Sequence, residues 1–317
     1  MGAADRLGYR LRLGTKGAQQ PFPKQFKNET IHLLSGSCTP LELYATRDGA
    51  RLAHASAFFW RARGAVWLVT ARHNFTGKDN FTGEWLSQSL EPRDIKVHPA
   101  VKRDDGMMGL HNTLDMPIVA DDGSRLWFED PQYAELATDI ACINLPGTIS
   151  ESIVCLNDDT TYELSTDPGD QCFVLGFPSA GYAEPYAPIW RRATIAMDGV
   201  VAIDDKPMFL LDCSSSKAMS GAPVLRREKS FARKEGSNTN FYPEPVWSSE
   251  FVGVYGGRIA SVRDGERDPL GEIAYAFYAN RVSRIIDAAN LPIEMSEIPG
   301  DVVSYALPSV GDPNGTS

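Results

Sequence analysis

Cysteine is scarce in this chain and follows no pattern. Cys38, Cys142, Cys155, Cys172 and Cys213 are the only five in 317 residues. An odd count at scattered spacing excludes a disulfide framework and the paired motifs of a zinc site. Histidine is equally scarce, and of the five, His32, His54, His98 and His111 show no paired ligand spacing, so no metal site is expected. Cationic charge is in deficit, with 31 Lys and Arg against 41 Asp and Glu and a net charge of −10. A surface built for nucleic acid needs the opposite balance. No apolar run approaches the roughly 20 residues of a membrane-spanning helix. Residues 1–30 lack the apolar stretch of a secretory signal, and Arg6 stands where a myristoylation signal needs Ser or Thr. These absences predict a cytoplasmic protein with reduced thiols, no cofactor, no nucleic-acid partner and no membrane contact.

What the chain does have is turn residues and short β-type segments. There are 27 glycines and 21 prolines, which suit an all-β architecture. Residues 52–60 and 64–71 read as two strands joined by the turn Arg61-Ala62-Arg63-Gly64. Further strands are expected near 41–47, 94–98, 123–128 and 139–145, then 171–176, 189–203, 207–213, 222–226, 251–259 and 272–278. Strands at such intervals argue for sandwiches or barrels, not for βαβ units. One helix is expected after Asn280, with Val282, Ile285, Ile286 and Ala289 on a single apolar face. The polar stretch 147–168 marks a boundary. The expected organisation is a basic arm (1–30), a first β domain (31–150), a second β domain with its helix (165–292) and a tail (293–317).

Three segments carry chemistry. They are Val69-Thr70-Ala71-Arg72-His73, Thr138-Asp139-Ile140-Ala141 and Met219-Ser220-Gly221-Ala222-Pro223-Val224. Each sets one polar, reactive side chain against a strand-like apolar run. A serine hydroxyl is a weak nucleophile at neutral pH and needs a base. Histidine is that base, and a buried carboxylate fixes its tautomer and stabilises the imidazolium. The predicted catalytic set is therefore His73, Asp139 and Ser220, with Asp115 the one serious rival for the carboxylate.

In these segments the chain resembles the chymotrypsin-like (trypsin-like) serine peptidases of intracellular and bacterial type. Val69-Thr70-Ala71-Arg72-His73 resembles that family's Val-Thr-Ala-Ala-His segment, Asp139-Ile140-Ala141 its Asp-Ile-Ala strand, and Ser220-Gly221-Ala222-Pro223 its Ser-Gly-Gly-Pro loop. The stretch from Gly169 to Pro178 is similar to the strand that opens the second barrel. The resemblance implies two packed six-stranded antiparallel β-barrels with the active site between them. It also implies a polypeptide substrate, an oxyanion hole from the backbone N–H groups of Ala218 and Ser220, and a substrate pocket lined by Ser214, Tyr255, Gly256 and Gly257. Without a carboxylate at Ser214, a modest apolar side chain is expected in that pocket.

Three positions depart from the family pattern. Ala218 replaces a glycine, and if the backbone there needs a positive φ, alanine costs on the order of 1 kcal/mol. Met219 replaces the aspartate that pairs with a newly cut N-terminus, so activation of that kind is not expected. Arg72 replaces a small residue. These departures leave a second reading open: a catalytically weak or inactive scaffold that binds, or one switched on by a protein partner through the basic arm or the 228–248 loop.

Overall fold

The structure is a computed structural model describing residues 29–46, 49–86, 90–102, 108–111, 113–145, 152–158, 160, 167–178, 187–197, 206–214, 216–230, 246–263 and 266–289. Most of the expected basic arm, the tail and the centre of the 228–248 loop lie outside them.

The first sheet contains β1 (Cys38–Tyr44), β2 (Arg51–Ala62), β3 (Ala65–Thr70), β4 (Asp94–Val97), β7 (Leu114–Pro117), β8 (Phe128–Glu129) and β9 (Ala141–Asn144), in the order β7-β4-β1-β2-β3-β9-β8. A small two-stranded sheet pairs β5 (Ala100–Lys102) with β6 (Met108–Leu110). The second unit is a closed barrel of β10 (Gln171–Gly176), β11 (Ile189–Met197), β12 (Met208–Asp212), β15 (Glu266–Tyr278), β14 (Val246–Arg263) and β13 (Pro223–Ser230). The molecule is all-β, and the second barrel has the expected six strands. The first unit is a seven-stranded sheet whose outermost strands, β7 and β8, do not pair with each other among the described residues. The described residues also include four short α-helices: α1 (Glu29–Gly36), α2 (Arg72–Thr76), α3 (Tyr133–Leu136) and α4 (Asn280–Ala288).

Period-2 alternation explains how the sheet and the barrel adhere. Successive strand residues point to opposite faces. In β2, Ala55, Ala57 and Phe59 join the core of the first sheet, whereas Phe58 and Trp60 join a second core shared with the barrel and α4. In β3, Val66 and Leu68 face the first core, and Trp67 and Val69 the shared one. These strands are buried on both faces, which is why their sequences read as unbroken apolar runs. Phe251 of β14 meets Phe58 at 5.3 Å and Trp60 at 5.1 Å between ring centroids. Each such side chain contributes about 1.5–3 kcal/mol on burial. The hairpin joining β2 to β3 turns on Arg63 (φ 53°) and Gly64 (φ 74°), the two positive φ values of a type I′ turn.

Helix α4 buries Val282, Ile285 and Ile286 as its pattern predicts. Asn280 is its first residue and not its cap: Ala279 precedes it, and no side chain caps the N-terminus. The other end is closed by Arg63, whose Nη1 donates to the carbonyls of Ile286 (3.3 Å), Asp287 (3.2 Å) and Ala289 (3.1 Å). A cation at a helix C-terminus also opposes the helix dipole favourably. α1 falls partly in the stretch expected as an arm, and it buries Leu34. All five cysteines are buried, and none is in a disulfide. Burial pushes the thiols of Cys38, Cys155 and Cys172 up to about 12, so they are inert. No helix among the described residues is long and apolar enough to cross a membrane.

Candidate active site

The pairing of β3 with β9 brings His73 and Asp139 together. Thr70 lies opposite Ala141 in this antiparallel ladder. The chain leaving β3 therefore passes beside the chain entering β9, and His73, in the first turn of α2, meets Asp139. His73 Nδ1 lies 2.6 Å from Asp139 Oδ2, and the His73 backbone N–H donates to Asp139 Oδ1 at 2.8 Å. The carboxylate is fully buried, and the imidazole is 12% exposed. Burial alone pushes the imidazole pKa down. The Asp139 charge and hydrogen bond, with a smaller push from Asp79, outweigh it and hold His73 above its ordinary value. The rival carboxylate, Asp115, sits on β7 and pairs with Lys96 at 3.5 Å.

Ser220 occupies the turn before β13, and β2 and α2 reach over to hold it. The Ser220 carbonyl accepts the Ser56 backbone N–H at 3.0 Å and Asn74 Nδ2 at 3.2 Å. Asn74 follows His73 directly, so the backbone of Ser220 is tied to the same helix as the imidazole. Within the turn, Gly221 N–H donates to the Tyr255 carbonyl (2.8 Å) and Ala222 N–H to the Met219 carbonyl (3.0 Å). Among the described residues, no hydrogen bond joins the Ser220 hydroxyl to the His73 ring, and the N–H groups of Ala218 and Ser220 meet no acceptor.

Ala218 has φ +70°, the left-handed conformation that the glycine of the resembled loop suits. Gly221 has φ +86° and a second constraint. A Cβ there would press into the Ser56 carbonyl oxygen, Thr70 Oγ1 and the Ala71 nitrogen. Met219 is buried in the barrel core. Arg72 turns away from the imidazole. Its guanidinium pairs with Glu129 and lies 3.8 Å from the centroid of the Tyr133 ring, a cation–π geometry.

The expected pocket residues separate. Ser214 is exposed, and its carbonyl and hydroxyl accept from Arg191 Nη1, the hydroxyl at 2.9 Å. Tyr255 is buried beside the Ser220 turn, and its N–H donates to the Ala222 carbonyl at 2.9 Å. Gly256 falls where the β14–β15 register shifts, and the Tyr275 ring packs against it. Tyr275 in turn meets Phe81, from the segment after α2, at 5.2 Å between centroids. Asn74 and Ser56 are absent from the sequence-based expectation. Their roles arise across 146 and 162 residues of chain. The one local hint is Asn74, a buried amide directly after the histidine.

Among the described residues, no cluster of three or more His, Cys, Asp or Glu is arranged to hold a metal. No family model and no curated protein matches the chain. The solved structures it is similar to are trypsin-like serine proteases. One is an HtrA-type protease, an AlgW variant with a tripeptide, at 13% identity and TM-score 0.44 over 82% of this chain. This chain spans 62% of the length of that one. The inactive form of the Rv3671c protease of M. tuberculosis has 14% identity and TM-score 0.42, over 86% of this chain and 98% of the other. The protease Anisep from Arthrobacter nicotinovorans has 12% identity and TM-score 0.45, over 80% of this chain and 95% of the other. The function proposed below stands on the site's own geometry.

Proposed function

We propose that this chain is a serine endopeptidase that cleaves a polypeptide by acyl transfer. Ser220 attacks the scissile carbonyl, and its proton passes to His73 Nε2. The other ring nitrogen is held by Asp139, so the imidazole is fixed in the tautomer that leaves Nε2 free to accept. The oxyanion that forms is stabilised by the N–H groups of Ala218 and Ser220, and His73 then gives its proton to the leaving amine. The observation that carries this reading is the buried His73–Asp139 pair at 2.6 Å. A buried carboxylate is costly unless it is paired and hydrogen-bonded, and this one spends both oxygens on a single histidine. Substrate residues run beside Tyr255, Gly256 and Gly257, whose strand adjoins the nucleophile turn through the Gly221–Tyr255 hydrogen bond. The five buried thiols suit a reducing compartment, the cytoplasm.

A second reading is favoured by one observation: among the described residues, no hydrogen bond joins the Ser220 hydroxyl to the His73 ring. It makes the chain a weak or inactive scaffold, or one whose serine comes within reach of His73 only when a protein partner binds. Catalytic hydrogen bonds are often long before substrate arrives, so the first reading stands ahead. A fluorophosphonate probe distinguishes them. The expected result is labelling of the wild type and none of Ser220→Ala. Equal labelling of both, or of neither, overturns the constitutive peptidase. Labelling that appears only with cell extract supports the partner-triggered form.

A further inference from the structure

Resting on the peptidase reading above, we propose that Ser56 is a positioning residue whose hydroxyl holds Ala218 in the left-handed conformation that aims the Ala218 N–H at the oxyanion. Ser56 lies in the middle of β2 and is fully buried, where a hydroxyl must find partners. Its hydroxyl donates to the Ala218 carbonyl at 2.8 Å and accepts the Phe177 N–H at 2.9 Å. Its N–H donates to the Ser220 carbonyl at 3.0 Å. Its carbonyl accepts Thr70 Oγ1 at 2.8 Å. Every polar group of the residue is spent, and two of its bonds reach the nucleophile turn.

The sequence explains why β2 can spare this residue. Ser56 lies opposite Pro40 in the β1–β2 ladder, and its N–H and carbonyl both point to the other side, toward Ser220 and Thr70, as the two groups of one antiparallel-strand residue do. On that side, pairing with β3 begins only at Phe58. Ser56 therefore lies outside the β2–β3 ladder, where its backbone serves the turn. Two glycines make room. A Cβ on Gly176 would lie 2.9 Å from Ser56 Oγ and 2.8 Å from Met219 Sδ, and one on Gly221 would press into the Ser56 carbonyl.

Alanine does not hold φ +70° unaided. With the carbonyl of Ala218 fixed by Ser56 and that of Ser220 by Ser56 and Asn74, a relaxation of φ at Ala218 rotates its own N–H. That N–H is one of the two proposed oxyanion donors. Glycine at this position needs no such support, so Ser56 and Ala218 form a linked pair in which the hydroxyl offsets the missing glycine.

The test is a double-mutant cycle on the full chain. Ser56→Ala is expected to lower kcat on a peptide substrate about tenfold, with KM within about twofold. Adding Ala218→Gly to Ser56→Ala is expected to restore most of the loss, because glycine takes the left-handed conformation freely. A purely structural role for the hydroxyl predicts no such rescue. An unchanged kcat in Ser56→Ala, or a loss that Ala218→Gly does not relieve, overturns the proposal. Should Ser56→Ala not fold, Ser56→Cys, similar in shape and a weaker donor, carries the same comparison. A wild type with no turnover and no probe labelling defeats the peptidase reading instead. The Ser56 proposal is then read from the 13Cα and 13Cβ shifts of labelled Ala218. Loss of the left-handed shifts in Ser56→Ala supports it, and their persistence overturns it.

Discussion

Asp139 holds His73 twice, once by the ring and once by the backbone. Oδ2 lies 2.6 Å from Nδ1, and Oδ1 accepts the His73 N–H at 2.8 Å. The first contact sets the tautomer, and the second fixes where the ring begins. Asp139→Asn keeps the shape and can keep the backbone bond. It also offers an amide N–H to Nδ1, which drives the proton onto Nε2, the atom that must accept from Ser220. The expected result is a fall in kcat of roughly 10³–10⁴-fold, with a much smaller change in KM. Steady-state kinetics on one peptide substrate, with folding checked by circular dichroism, measures it. A fall of less than about tenfold removes Asp139 from the mechanism.

The same contact sets the pH dependence. His73 must be neutral to act as base, and the Asp139 charge holds its pKa above the ordinary value against the opposing effect of burial. Activity is expected to rise with pH, with its midpoint above the ordinary histidine value of about 6.5. Stability runs the other way. A pKa raised in the folded state stabilises the protein below the unfolded value, and that contribution is lost as pH rises through the folded value. The urea midpoint of wild type relative to His73→Gln should therefore be most favourable between about pH 5 and 6.5, and should decline over the same pH range in which activity rises. A midpoint for activity below about 6 contradicts the assignment.

Gly221 is constrained by conformation and by space together. Its φ is +86°, and a Cβ would meet backbone and side-chain atoms of β2 and the β3 terminus. Neither neighbour is the yielding end of a flexible side chain. Gly221→Ala is expected to cost more than about 2 kcal/mol of stability and to abolish probe labelling, since relieving the clash moves Ser220. Denaturant unfolding and the labelling assay read the two effects. Gly64→Ala is the control: its φ is +74°, but it has open space around it, so it carries the conformational cost alone.

Short motifs made the reactive residues legible, because each one couples a side chain to its own local backbone. His73 follows one strand-like run, Asp139 precedes another, and Ser220 precedes a glycine that a sharp turn requires. The possible cost at Ala218 could be foreseen for the same reason: φ is a property of one residue. The supports of the site were not legible. Ser56, Asn74 and Tyr275 are ordinary residue types whose meaning comes from partners more than a hundred residues away in the chain. β5, β6 and β7, each three or four residues long, are absent from the sequence-based expectation. The strand expected near 123–128 is a turn that leads into the two-residue β8. The pairing of Arg72 with Glu129 against the Tyr133 ring rests on partners distant in the chain and was likewise not legible.

Asp130 provides the last test, because it fastens the C-terminal helix to the first sheet. It is almost wholly buried. Arg281 Nη1 and Arg284 Nε of α4 approach its two oxygens at 3.6 and 3.7 Å. Thr138 Oγ1, one residue before Asp139, donates to Oδ2 at 3.1 Å, and the Gln132 N–H donates to Oδ1 at 2.9 Å. Removing this carboxylate leaves Arg281 without its counter-charge and frees Thr138, whereas Arg284 is half exposed and keeps its bond to Gln132. Asp130→Ala is expected to destabilise by about 1–3 kcal/mol, mainly through the half-buried Arg281 and the lost hydrogen bonds. Asp130→Asn keeps the shape and part of the hydrogen bonding, so it should lose less. Because Thr138 adjoins Asp139, any folded Asp130 variant should also show a lower kcat with little change in KM. Urea unfolding and steady-state kinetics on both variants check these outcomes, and a cost below about 1 kcal/mol in Asp130→Ala would mean that α4 is held by its apolar face and Arg63, not by Asp130.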